Sequence, residues 1–147
     1  MTGWRLGWIV IRESMQRSIE CLTQNLFISP PSLSQLAAIA AFDCLDELDR
    51  NVERYRKNRE LLLNELPKAG LKEFAPADGA FYVYANISHL TNDSKQFCDK
   101  MLSKTGVAAT PGVDFDGLCG KEYVRFCFAG ATDDIAEAAL RLKIWLG

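Results

Sequence analysis

Hydrophobic positions along the chain switch between a spacing of two and a spacing of three to four, and the switches mark out the elements. The opening MTGWRLGWIVI crowds two tryptophans, two glycines and an arginine ahead of the apolar Ile9-Val10-Ile11; it reads as a buried strand with one charge near its start. In RESMQRSIECLTQN, Met15, Ile19 and Leu22 lie four and three apart, a helix that the prolines of LFISPPS terminate. Ser32 with Gln35 has the capping-box pattern, in which each side chain satisfies an orphan backbone N–H. Leu45, Leu48, Val52, Tyr55, Leu62 and Leu66 then keep one helix face apolar, interrupted only by Arg59, until Pro67 and Gly70 stop it. Asp49, Glu53, Arg56, Lys57 and Glu60 form the solvated face. This predicts one helix of about 35 residues, far beyond the usual 11–12 and long enough to span two layers. Its LAAIAAF end, apolar around most of its circumference, is expected to be the most enclosed.

Beyond residue 70 the period shortens. Pro76-Ala77-Asp78-Gly79 is turn chemistry, and AFYVYANI has the aromatic and β-branched content of a strand. DSKQFCDKMLSKTG reads as a short helix capped by Asp93 or Ser94 and ended by a left-handed Gly106. VAATPG and YVRFCFA read as two more strands around the glycine-rich VDFDGLCG. Thr132 is the expected cap of a last helix with Asp133 and Asp134 in its first turn and a stripe of Ile135, Ala138, Ala139, Leu142 and Trp145. The order is strand, helix, long helix, strand, helix, strand, strand, helix. That predicts an α/β fold, a small sheet with helices packed on it.

Composition narrows the function. At 147 residues, 48% hydrophobic and 24% charged, the chain suits one ordinary globular domain. A net charge of -2 and no basic run longer than two residues leave no electrostatic footprint for nucleic acid. No apolar stretch reaches the ~18 residues of a membrane span, and the MTGWR start shows neither the basic n-region, the long apolar stretch nor the small-residue cleavage site of a signal peptide. Cys21, Cys44, Cys98, Cys119 and Cys127 are too scattered for a disulfide framework or a zinc site, which points to a reducing compartment such as the cytoplasm. His89 is the only histidine, so a histidine-based triad has no members to spare; it reads as a polar loop residue near a strand end.

Arg5 and Arg125 depart from this pattern, each a fixed charge inside an apolar, strand-like run. A buried arginine needs an anion or water, and its planar fork matches carboxylate or phosphate with two parallel hydrogen bonds. Each could also be an outward-facing residue on a half-exposed strand, or be paired with a local Asp or Glu.

Five stretches, in order, carry a resemblance: MTGWRLGW, SPPSLSQLAAIAAF, PADGAFYVYANIS, ATPGVDFDGLCG and YVRFCFAGATDDIAEAALRL. Over essentially the whole chain they resemble the C-terminal portion of class I/II, fold-type I aminotransferases dependent on pyridoxal phosphate (PLP). The resemblance implies a cytoplasmic homodimer acting on an amino acid and a 2-oxo acid. In this reading residues 1–28 are a strand-helix remnant of the cofactor-binding large domain, 29–70 a long connecting helix, and 71–147 the small C-terminal α/β domain. Arg5 matches the family arginine that binds the cofactor phosphate, and Arg125 the one that grips the substrate α-carboxylate. Phe81 matches a position near the substrate, with core packing its expected role. The family's Schiff-base lysine would fall four residues before Met1, so the chain is expected to be a fragment without catalytic residues of its own and inactive alone. The ring-binding aspartate and the stacking aromatic residue lie upstream in the family as well. Asp116 stands where the family usually has Gly, with Gly117 as the alternative turn-former. A transcription regulator's aminotransferase-like effector domain and a free-standing oligomerisation domain are the competing readings.

Overall fold

Alternation along YVYAN and YVRFC organises the centre of the structure. Val83, Ala85, Val124 and Phe126 turn to one face of a sheet and are buried, while the residues between them stay partly or wholly exposed on the other. The computed structural model describes residues 1–147 apart from the side chain of Thr2. Its helices are α1 (Glu13–Leu26), α2 (Ser32–Ala41), α3 (Leu45–Glu65), α4 (Ser94–Thr105) and α5 (Thr132–Leu146). Its strands are β1 (Tyr82–Asn86), β2 (Thr110–Pro111) and β3 (Tyr123–Cys127). The sheet is antiparallel in the order β1-β3-β2, with Tyr84 and Thr110 opposite Arg125 on either side. This is the expected α/β class. No helix among the described residues is long and apolar enough to cross a membrane.

The chain divides into two compact units, Met1–Asp49 and Arg50–Gly147. In the second, Leu62, Leu66 and Leu71 from the end of α3 and the turn after it join Met101 of α4 and Leu142 of α5 against the buried face of the sheet. Burying each such side chain contributes about 1.5–3 kcal/mol. Asp93 caps α4, its carboxylate accepting from Gln96 N–H at 2.9 Å, and Gly106 ends it at φ 72. The stripe of α5 buries Ala139 and Leu142. The helix nevertheless begins after Ala131 without a side-chain cap, so Thr132 is its first residue rather than its cap, and Asp133 and Asp134 supply the favourable charge. β2 is only two residues long, because Pro111 has no N–H to donate and the chain tightens into a turn at Gly112. His89 is a loop residue whose Nε2 lies 3.0 Å from the Gly70 carbonyl.

The first unit corrects four expectations. MTGWRLGWIVI forms no strand: a short 3-10 turn over Thr2–Trp4 leads into an irregular segment, with Trp8 72% and Val10 95% exposed. A strand requires a ladder partner, and none of the described residues pairs with this segment. Ser32 and Gln35 form no capping box. The cap is Pro31, which has no N–H for a reciprocal bond, and Gln35 Nε2 instead donates to the Pro30 carbonyl. The 35-residue helix is interrupted at residues 42–44, where the N–H groups of Phe42, Asp43 and Cys44 donate to carbonyls three residues back. The 21-residue α3 remains about twice the usual length. LAAIAAF is not its enclosed end, because Leu36, Ile39 and Phe42 are exposed.

Candidate functional site

β3 places Arg125 on the open face of the sheet, half-buried, where an apolar strand would otherwise present an ordinary surface side chain. Two aromatic rings hold its guanidinium. Cζ lies 4.1 Å from the centroid of Tyr82, its diagonal neighbour on β1, and 4.0 Å from that of Phe115, which follows β2. Each cation–π contact contributes about 0.5–2 kcal/mol. Nη2 makes one long contact of 3.4 Å to the Thr110 hydroxyl. No carboxylate among the described residues pairs with Arg125. The two rings flank the guanidinium and leave it without a charged partner among the described residues.

The loop carrying Phe115 is fixed by close backbone approach. A Cβ on Gly112 would stand 2.4 Å from the Gly120 carbonyl oxygen, and Gly120 is as tightly confined against Gly112. Asp116 forms the turn itself, its Oδ1 accepting from the N–H groups of Leu118 (2.8 Å) and Cys119 (3.2 Å). Gly117 is not left-handed, so the departure at Asp116 is accommodated by a side-chain hydrogen bond and not by glycine's freedom. Beneath the loop Tyr84 stacks on Tyr123 with centroids 4.8 Å apart. The Tyr84 hydroxyl is buried without a partner among the described residues, and burial, then the Asp116 charge, raises its pKa.

Arg5 belongs to the first unit, where it is exposed and ends the opening turn at φ 51, a left-handed conformation uncommon for a side chain with a Cβ. It too forms no ion pair among the described residues. Phe81 is half-buried and packs against Tyr55 and Tyr82, and its carbonyl accepts from Phe128 N–H. Sequence reasoning missed Tyr82, Phe115 and Thr110. The signal for Tyr82 was available, since two residues along β1 return to the face that register shares with Arg125. Nothing local pointed to Phe115.

Residues 1–142 match the family model for aminotransferase class I and II. The chain is 50% identical over 148 residues to valine–pyruvate aminotransferase of Mycobacterium tuberculosis, covering 99% of this chain and 38% of that protein. It is 33% identical to aspartate aminotransferase of Sulfurisphaera tokodaii, covering 97% of this chain and 37% of that one. A crystal structure of an aminotransferase from Mycobacterium tuberculosis superposes with a TM-score of 0.88 at 50% identity, again over 99% of this chain and 38% of the other. The chain thus spans under two-fifths of the length of these relatives, and with that reach it belongs to the class I and II aminotransferase family.

Proposed function

We propose that the chain is the C-terminal part of a PLP-dependent aminotransferase that moves an amino group between an amino acid and a 2-oxo acid. In this reading residues 1–28 belong to the cofactor-binding domain, 29–70 connect, and 71–147 form the small domain of a cytoplasmic homodimer. The observation that carries the reading is Arg125, an arginine held between two rings with no carboxylate partner of its own. It would receive the α-carboxylate that amino and 2-oxo acids share, so both occupy one seat. Arg5 would hold the cofactor phosphate, which its exposed and unpaired guanidinium suits. When bound, PLP supplies the electron sink for the transfer. This chain's own residues bind and orient, and none of its lysines stands in the family's cofactor-linking context.

The 147-residue chain alone therefore gives no transaminase turnover, and turnover at enzyme-like rates with PLP, an amino acid and a 2-oxo acid would overturn that claim. In the assembled enzyme, Arg125→Met removes two charged hydrogen bonds of about 1.5–3 kcal/mol each. It is expected to lower kcat/KM by about a hundredfold or more for every amino acid tested. A lysine codon four positions before Met1 in the encoding frame would support the parent assignment, and its absence would count against it.

A further inference from the structure

Arg59 breaks the apolar stripe of α3, and the site described above gives it no part. With Tyr55 and Asn58 it occupies positions i, i+3 and i+4, a single face of one helical turn. Asn58 is fully buried, and its Nδ2 donates to the carbonyls of Phe128 (2.9 Å) and Gly130 (3.0 Å), just past the end of β3. Arg59 Nη1 donates to the Ala77 carbonyl at 2.9 Å, in the segment that enters β1. The Tyr55 ring lies 6.0 Å from Phe81, whose own ring is 4.5 Å from Tyr82. One turn of α3 thus grips the entry to β1 and the exit from β3 together. Between the grips Ala80 is held at φ 56, and a strained residue of this kind persists only where its surroundings over-determine it. Two residues downstream stands Tyr82, the ring against the Arg125 guanidinium.

We propose that Asn58 and Arg59 are positioning residues for the anion seat. They fix the 77–81 segment and the Phe128–Gly130 segment so that Tyr82 stays stacked on Arg125 and its donor edge keeps one orientation. The functional weight of this inference rests on the proposed role of Arg125. Its physical content, control of one side chain by another through a turn, does not.

The test uses NMR of the 147-residue chain. Stacking on Tyr82 displaces the Arg125 side-chain protons upfield and gives Overhauser contacts between the two residues. Arg59→Met keeps the aliphatic stem and removes the donors at a half-exposed position; it is expected to lose those contacts while the Leu62, Leu66 and Leu142 methyl signals stay in place. Arg59→Lys restores a donor and should recover part of the effect. Asn58→Ser is the second variant, and if it fails to fold, Arg59→Met decides. Unchanged Arg125–Tyr82 contacts in the folded variants would overturn the proposal. Pyruvate titration, followed at Arg125 Nε–H, is then added to each chain. A response in the unsubstituted chain that weakens by about tenfold in Arg59→Met supports both readings. No response in the unsubstituted chain would sink the carboxylate role of Arg125 while leaving the positioning result to stand on the ligand-free spectra.

Discussion

A single methyl group at Gly112 tests the geometry of the loop that brings Phe115 to Arg125. A Cβ there would lie 2.4 Å from the Gly120 carbonyl oxygen, 2.6 Å from the Tyr84 hydroxyl and 2.7 Å from the Tyr123 carbonyl oxygen. Two of these obstacles are main-chain atoms and cannot rotate away, so the loop must open by roughly an ångström to reach ordinary contact. Overpacking of this kind costs about 1–3 kcal/mol. In a unit of this size that lowers the melting temperature by about 5–20 °C. Gly117, five residues along the same loop, is the control: nothing lies within 4 Å of its Cβ position and its φ is not left-handed. There Ala only restricts the unfolded chain and should stabilise by about 0.4–1 kcal/mol. Thermal or urea unfolding of Gly112→Ala and Gly117→Ala, followed by near-ultraviolet circular dichroism of the Tyr84–Tyr123 stack, measures the difference. Two variants of equal stability would refute the close approach, and with it the account of how Phe115 is held.

Other consequences can be read separately. Burial, then the charges of Asp99 and Asp114, pushes the Cys98 thiol from 9.0 up to about 11, so alkylation of the folded chain should mark the exposed Cys44, Cys119 and Cys127 and spare Cys98. Between pH 9 and 11 the unfolded chain releases the Cys98 proton first, so this residue's contribution, complete below pH 9, declines as pH rises; Cys98→Ala should flatten that decline in urea titrations. Ala80→Gly relieves about 1–2 kcal/mol of left-handed strain but frees the unfolded chain by about 0.5–1 kcal/mol. A small net stabilisation should therefore appear in its urea midpoint, and a clear loss would refute the strain. Trp8, Val10, Leu26, Ile28, Leu36 and Ile39 are large apolar side chains exposed in the first unit, so the chain should self-associate in sedimentation velocity. The double variant Trp8→Arg, Ile39→Lys should weaken that association, and a chain monomeric at every concentration would contradict it.

β1, β3, α4 and α5 were legible in the sequence because their signals are local: alternation of two, a stripe at three and four, an aspartate ahead of a helix and a glycine behind it. The opening segment misled because a strand's hydrogen bonds are made to another segment, and composition does not say whether that segment is there. The break at residues 42–44 was hidden because Phe42, Asp43 and Cys44 include neither proline nor glycine, so tightening to three-residue hydrogen bonds left no mark. The turn read at Pro76–Gly79 falls later, at Gly79–Phe81, and its left-handed residue is Ala80, not the glycine before it. Arg125 stood out as a charge in an apolar strand. Its aromatic neighbours did not, since one arrives through strand register and the other through a loop. Asn58 was missed for the opposite reason: among the charged neighbours of RYRKNRE one amide looks like surface, although it falls on the apolar face with Tyr55 and Leu62 and is among the most buried residues of the chain.

The partners of Arg125 distinguish two uses of a half-buried arginine. An arginine kept for stability is best served by a carboxylate within reach, because a satisfied fork offsets the cost of taking the charge out of water. Here the flanks are two rings, and the one polar contact is a 3.4 Å approach to a hydroxyl. Rings attract the charge through their faces but accept no N–H hydrogen bond at the edge, so they orient the guanidinium without consuming its donors. The Asp116 carboxylate, on the residue after Phe115, forms no ion pair with Arg125 and instead accepts at Oδ1 from the N–H groups of Leu118 and Cys119. A cation held still, flanked by hydrocarbon and left without an internal counter-charge is more costly to the fold than a paired one. That cost has a physical rationale if an anion from outside the chain completes the site.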